Sequence, residues 1–222
     1  MDIGKVISES AALLARHPVV AVPTVIAAFV FAAISIVASE AFGPEGVMAF
    51  AGPVGLAVNL FAQGVTMAMA REALEKGATG MGTGARAALE NFSSFLGAAL
   101  ILSAAISIGL ALFIIPGVAA VFLLMFTFPS IVVDGLGPQG AIKKGFGVIK
   151  ANMKKVALLF AFLVAASFLF GVVNVLLRTV PVMGLAISLV LSGIFGGYIA
   201  VVMVSAYMAL AGSNPAQGPA SL

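Results

Sequence analysis

Residues 91–133 read NFSSFLGAALILSAAISIGLALFIIPGVAAVFLLMFTFPSIVV, from Asn91 to Val133, without one charged side chain. A helix crosses the ~30 Å hydrocarbon core of a bilayer with about 20 apolar residues, at about 1.5 Å of rise each. This run is about twice that length, so it must turn back on itself. The strongest turn signal inside it is Pro116-Gly117. The run therefore reads as two spans, 95–115 and 117–133, joined by a tight hairpin with no charged loop.

Working outward, four more runs have spanning length: 18–39, 46–70, 156–177 and 182–210. Segments in lipid must satisfy their backbone hydrogen bonds internally, which leaves helices or a closed barrel. Barrel strands are about 10 residues long with alternating polarity, and none of these runs alternates. The expected fold class is all-α, a polytopic transmembrane helical bundle of six spans forming one domain over 1–210. The tail, 211–222, is Gly-, Ser-, Asn-, Pro- and Gln-containing and is expected to be disordered.

Composition agrees. Of 222 residues 62% are hydrophobic and 9% charged, with a mean hydropathy of +1.22; soluble domains carry about 25% charged residues. There is no cysteine and one histidine, His17. Disulfides, thiolate metal sites and multi-histidine metal sites are thereby excluded. A cleaved signal peptide is not expected, because the first 17 residues are mixed and amphipathic rather than a basic lead into a short apolar core.

Orientation follows from Lys and Arg in short loops. Ten of the eleven basic residues (Lys5, Arg16, Arg71, Lys76, Arg86, Lys143, Lys144, Lys150, Lys154 and Lys155) fall on one side of the six-span layout, and only Arg178 falls on the other, with Glu40 and Glu45. This places both termini in the cytoplasm of a multi-pass cell-membrane protein, and it requires the reversal within 91–133.

Three segments beside the spans are amphipathic and read as cytoplasmic helices lying at the membrane interface. In 2–16, Ile3, Val6, Ile7 and Leu14 share a face. In 84–96, Ala85, Leu89, Phe92 and Leu96 do so. In 139–156, Ile142, Phe146, Ile149 and Met153 form the apolar face, with Lys143, Lys144, Lys150, Lys154 and Lys155 around the rest. Each segment begins near a glycine (Gly4, Gly84, Gly140) and precedes two spans, so the chain reads either as three repeated units of surface helix plus hairpin or as six spans joined by the amphipathic linkers common to multi-span proteins. The five lysines are the main candidate site, a contact with anionic lipid headgroups.

Polar residues inside spans are costly and are inspected for function. Asn59 and Gln63 lie four apart on one helix face, as do Asn174 and Arg178. They are either the lining of a polar path or hydrogen-bonding groups between helices; the second reading is favoured. No Asp, Glu or Lys lies deep in a span, which argues against an ion-coupled pump. Gly193 and Gly197 form a GxxxG that suits close packing within the chain. Pro23, Pro53 and Pro129 are expected to kink their spans. The Gly77–Gly84 stretch lacks the ending of a phosphate-binding loop and reads as a turn. His17-Pro18 reads as a helix boundary, and Asp134 as a cap for the turn with Gly135, Gly137 and Pro138.

The Ile115-Pro116-Gly117 turn, Phe128-Pro129-Ser130-Ile131-Val132-Val133-Asp134-Gly135, Gly140-Ala141-Ile142-Lys143-Lys144-Gly145-Phe146 and the following Asn152 resemble a six-helix family of prokaryotic membrane proteins that includes the YciC-type proteins. The chain is also similar to the membrane domain fused to some glycerophosphodiester phosphodiesterases. The resemblance covers 3–210. It implies helical hairpins with interfacial helices, and no activity or catalytic residue set carries over from it.

The expected function is a non-enzymatic integral membrane protein acting through lipid or protein-partner contacts, with no cofactor and no nucleic-acid partner. The partners expected are membrane lipids, anionic ones in particular, and a membrane protein or a second copy of the chain. The alternative is a transporter or channel for a small or lipidic substrate. An intramembrane enzyme is disfavoured, because the eight acids form no motif of clustered acid–base or metal-binding groups.

Overall fold

The computed structural model describes residues 3–177, 179–180 and 183–212; Asp2, Arg178, the start of the sixth span at Val182 and the tail from 213 onward lie outside them. Among the described residues the chain is all α, with six stretches long and apolar enough to cross a membrane: Pro18–Glu45, Val47–Lys76, Phe92–Leu112, Ile114–Asp134, Met153–Leu177 and Met183–Ala211. The protein is a polytopic membrane protein.

The three units are visible in the way the chain breaks. The first is α1 (Ile3–Arg16), a 3-10 turn (Pro18–Ala21), α2 (Val22–Gly46), a π turn (Val47–Ala51) and α3 (Gly52–Lys76). The second is α4 (Met81–Glu90), α5 (Phe92–Leu112), α6 (Ile114–Leu124) and α7 (Thr127–Asp134). The third is α8 (Pro138–Ala151), α9 (Met153–Leu177) and α10 (Met183–Ala211). Each surface helix is parted from its first span by a single residue outside the regular helix: His17, Asn91 and Asn152. The two asparagines make the same bond, each donating its Nδ2 to the carbonyl four residues back, Ala87 at 2.8 Å and Val148 at 3.1 Å. Each second span is followed by a glycine in the left-handed region, Gly77, Gly135 and Gly212, with φ of 70°, 65° and 71°. That conformation is cheap for glycine and is the usual way to end a helix.

Packing follows the same order. The second spans α3, α7 and α10 touch one another at the basic end. Their buried stretches, 64–70, 129–133 and 200–204, supply most of the core there. Each surface helix packs chiefly against the second span of the unit before it: α4 on α3, α8 on α7, and α1 on α10, which closes the ring. The first spans α2, α5 and α9 lie outside. Of all six spans α10 is the most buried and α9 the least, 44% against 17% of their most apolar windows.

Apolar helices gain nothing from leaving lipid for one another, so close packing has to hold them together. The contacts are made by small residues. A Cβ on Gly193 would lie 2.3 Å from Cα of Val25, and one on Gly197 would lie 3.0 Å from Cα of Ala21, so this GxxxG seats α10 on the start of α2. Thr24 Oγ1, between them, lies 2.7 Å from the Gly193 carbonyl and 2.8 Å from that of Ala21.

The central hairpin reverses three residues earlier than expected. Phe113 alone is extended, at φ −166° and ψ 159°, and α6 starts at Ile114. Pro116 and Gly117 therefore sit in the first turn of α6. Proline is tolerated there because that turn has no intrahelical acceptor for its missing N–H. Gly117 is where α6 meets α5: a Cβ on Gly109 would lie 2.9 Å from the Gly117 Cα. Pro23, Pro53 and Pro129 likewise occupy first turns rather than kinking helices in mid-course. Pro129 follows a break at Met125-Phe126 that divides the fourth span into α6 and α7.

The surface helices α4 and α8 also dock on the protein through a face that was not anticipated. On α4 the buried residues are Gly84 and Ala88, while Leu89 is exposed. On α8 they are Ala141, Gly145 and Ile149, while Phe146 is exposed. Phe92, Leu96 and Met153 lie beyond the breaks, in α5 and α9. Small residues let each helix approach the protein closely, with Ile149 packed beside them on α8, while Leu89 and Phe146 are left for the surroundings.

Candidate functional site

The basic end of the bundle holds most of the polar chemistry. The α6–α7 break is filled by α8: a Cβ on Gly145 would lie 3.1–3.2 Å from the backbone of Phe126 and Thr127. Ser130 Oγ, buried, lies 2.9 Å from the Ala141 carbonyl of α8 and 2.8 Å from that of Thr127. Arg71 of α3 donates its Nη1 to the Val132 carbonyl at 2.9 Å, placing a cation at the C-terminus of α7, where the helix dipole is negative.

Asp134, expected to cap the turn, bonds instead to side chains of two other helices. Its carboxylate accepts Lys144 Nζ at 2.7 Å and the Tyr207 hydroxyl. Tyr207 is fully buried, with its ring edge-on to Phe126 at 5.7 Å. One carboxylate thus joins α7, α8 and α10. Sequence reasoning did not single out Tyr207, Arg71 or Ser130. A signal for the first was present: the chain has 2 tyrosines against 17 phenylalanines, so each hydroxyl in an apolar setting marks a bond.

Beside this junction lies a polar pocket of about 240 Å³ between α3, α4, α5 and α7, with Arg71, Glu72, Glu75, Lys76, Thr83 and Asn91 in its wall. Its charges are paired locally: Arg71 with Glu75 at 2.8 Å, Lys76 with Glu72 at 3.3 Å, and Thr83 donating to Glu72 at 2.6 Å. Among the described residues no three of His, Asp and Glu come together as metal ligands.

Of the five lysines, Lys144 is committed to Asp134. Lys143, Lys150, Lys154 and Lys155 are exposed and have no partner among the described residues. On α8, Lys143 and Lys150 lie one turn before and one turn after the exposed Phe146, on the side away from the docked face. Lys154 and Lys155 open α9, where they border a cavity against α1.

Among the described residues, the candidate path residues Asn59, Gln63 and Asn174 do not line one site. Asn174 bonds across helices, its Oδ1 accepting Ser188 and, at 3.4 Å, Ser192 of α10. Asn59 is exposed on α3, and Gln63, half-buried, lies beside Gly196 of α10. None of the cavities described here has Asn59 in its wall.

Comparison with protein-family models, curated proteins and solved structures returns no match.

Proposed function

We propose that the protein is a non-enzymatic membrane protein whose working surface is its basic end, held in the cytoplasm and turned toward anionic lipid headgroups. One observation carries the reading: α8 is fixed to the bundle by Ala141, Gly145 and Ile149, and it leaves exposed both Phe146 and, one turn before and one turn after it, Lys143 and Lys150, which have no partner among the described residues. A helix in this setting lies in the headgroup plane, with its apolar side chain dipping into the membrane. Each lysine near an anionic leaflet contributes about 1 kcal/mol. Both termini in the cytoplasm follow from the ten-to-one distribution of basic residues. A place among the YciC-like six-helix proteins is part of the same proposal. It rests on the short motifs around Pro116, Pro129 and Gly140, and the hairpin-plus-surface-helix layout supports it.

The test uses the whole chain in vesicles with spin-labelled lipids. Phosphatidylglycerol is expected to be enriched over phosphatidylcholine in the motionally restricted shell, and the enrichment to fall in high salt and in a Lys143→Gln/Lys150→Gln variant. Equal enrichment in that variant contradicts the reading.

Asn59 favours a second contact. An exposed amide facing lipid is costly unless another helix accepts its hydrogen bonds. A partner span, from a membrane protein or a second copy, fits this better than a solute path, which would need neighbouring polar walls. With the chain's natural lack of cysteine, an Asn59→Cys variant is expected to form disulfide-linked dimers in the membrane if the partner is a second copy. Loss of solute uptake in a folded Asn59→Leu variant would instead favour the transporter.

A further inference from the structure

We propose that the crevice between α1 and α9 is a binding site for one anionic phospholipid, with the phosphate held by Lys154 and Lys155 and an acyl chain running inward along α1 to Tyr198. The proposal deepens the lipid reading above by assigning a single retained molecule to a defined site.

Two cavities lined by successive turns of α1 define the crevice. The outer one, of about 590 Å³, lies between Ile3 and Ile7 of α1 and Lys154, Lys155, Leu158 and Phe162 of α9. The inner one, of about 720 Å³, continues along α1 past Ala11, Leu14 and Ala15 and is closed by Phe170 of α9 and by Phe195 and Tyr198 of α10. Ile3, Ile7, Ala11 and Leu14 follow one another at helical spacing, so both cavities use one face of α1. Tyr198 ties them together: it lines the inner cavity, and its hydroxyl is 3.4 Å from the carbonyl of Ile7, which lines the outer.

The chemistry changes along the crevice as it does along a phospholipid. Two ammonium groups without partners among the described residues stand at the mouth, and the inner wall is almost wholly apolar. Such sites are mostly apolar with a few placed polar groups that set orientation, and basic pockets beside membrane helices hold anionic headgroups. The α9 span, which forms one wall of the crevice, is the least buried of the six. Ala11, Ala15 and Ala21 are the small residues of the inner wall, which leaves room beside Phe170.

The test is native mass spectrometry of the whole purified chain after exchange into phosphatidylglycerol or phosphatidylcholine. The wild type is expected to retain one phosphatidylglycerol in 0.5 M salt (a value of about three times ordinary ionic strength, where surface charge is screened). Lys154→Gln/Lys155→Gln is expected to lower the retained fraction at least fivefold. Ala11→Phe/Ala15→Phe, which changes two exposed positions and fills the inner cavity, should do the same. Lys143→Gln/Lys150→Gln removes equal charge elsewhere and should lose only the salt-sensitive shell, so the two proposals fail separately. A measurement without charge variants stands beside these. The chain has no tryptophan and its two tyrosines are Tyr198 and Tyr207. Phosphatidylglycerol brominated in mid-chain should quench tyrosine emission, and Tyr198→Phe should remove the quenching. Equal losses in both lysine pairs, binding of glycerol phosphate as tightly as the diacyl lipid, or no quenching at Tyr198 would each overturn the site.

Discussion

Tyr207 and Asp134 lie 73 positions apart in the chain and meet as a buried phenol on a carboxylate that also holds Lys144. A hydrogen bond to a charged group contributes about 1.5–3 kcal/mol, and leaving a buried partner unsatisfied costs its desolvation as well. Tyr207→Phe should therefore lower stability by about 1.5–3 kcal/mol. Asp134→Ala should cost at least as much, because it strands the phenol, and the double variant should cost less than the sum. Thermal denaturation in detergent reads all three; additive losses would mean the groups do not act together. The glycines of α10 give a sharper contrast. A methyl on Gly193 meets the α2 backbone at 2.3 Å, whereas the nearest atom to one on Gly196 is 3.9 Å away. Gly193→Ala should destabilise by about 1–3 kcal/mol through overpacking. Gly196→Ala should be neutral, or stabilising by up to about 1 kcal/mol because alanine favours helix. Similar melting temperatures for the two variants would place the α2–α10 seam elsewhere.

At the scale of elements, α8 shows what could be read in advance and what could not. Its existence, its lysines and its place before a hairpin are all legible from amphipathic spacing. Its docked face is not. The periodicity of large apolar residues gives the face Ile142, Phe146, Ile149 and Met153, of which Ile149 is docked and Phe146 is exposed; a helix at a bilayer has two apolar neighbours, protein and lipid, and hydropathy does not distinguish them. Closeness of approach does, and it selects Ala141 and Gly145. The same ambiguity hid the face of α4. The central hairpin was legible as a reversal but not as a position: Pro-Gly marks a turn in water-exposed loops, whereas here proline begins α6 and one extended residue, Phe113, makes the bend. The docking of α8 is testable. Gly145→Val should lift it from the α6–α7 break and expose Lys143, Lys144 and Lys150 to trypsin in reconstituted vesicles. Gly147→Ala, with nothing within 4 Å of its Cβ, should leave cleavage unchanged. Equal resistance in both would contradict the packing through Gly145.

The molecule as a whole is three units closed into a ring, with second spans inside at the basic end, first spans outside and surface helices bridging each unit to the one before. Length and hydropathy made the six spans legible. The ring could not be read, since it depends on which helices are neighbours, and short motifs with few shared identities carry no such information. The breaks at His17, Asn91 and Asn152 and the glycines at 77, 135 and 212 reveal it only once the helix ends are known. Because the spans come in pairs, every surface helix must lie on one side of the membrane. Four single-cysteine variants in this cysteine-free chain test that claim most directly: Gly80→Cys and Gly137→Cys at one end, Glu45→Cys and Thr179→Cys at the other, labelled in intact cells with a membrane-impermeant maleimide. The account predicts that Glu45→Cys and Thr179→Cys label in intact cells, and that Gly80→Cys and Gly137→Cys label only after permeabilisation. Labelling of Gly80→Cys and Gly137→Cys from opposite sides would contradict it, because α5 and α6 would then not form a hairpin across the membrane.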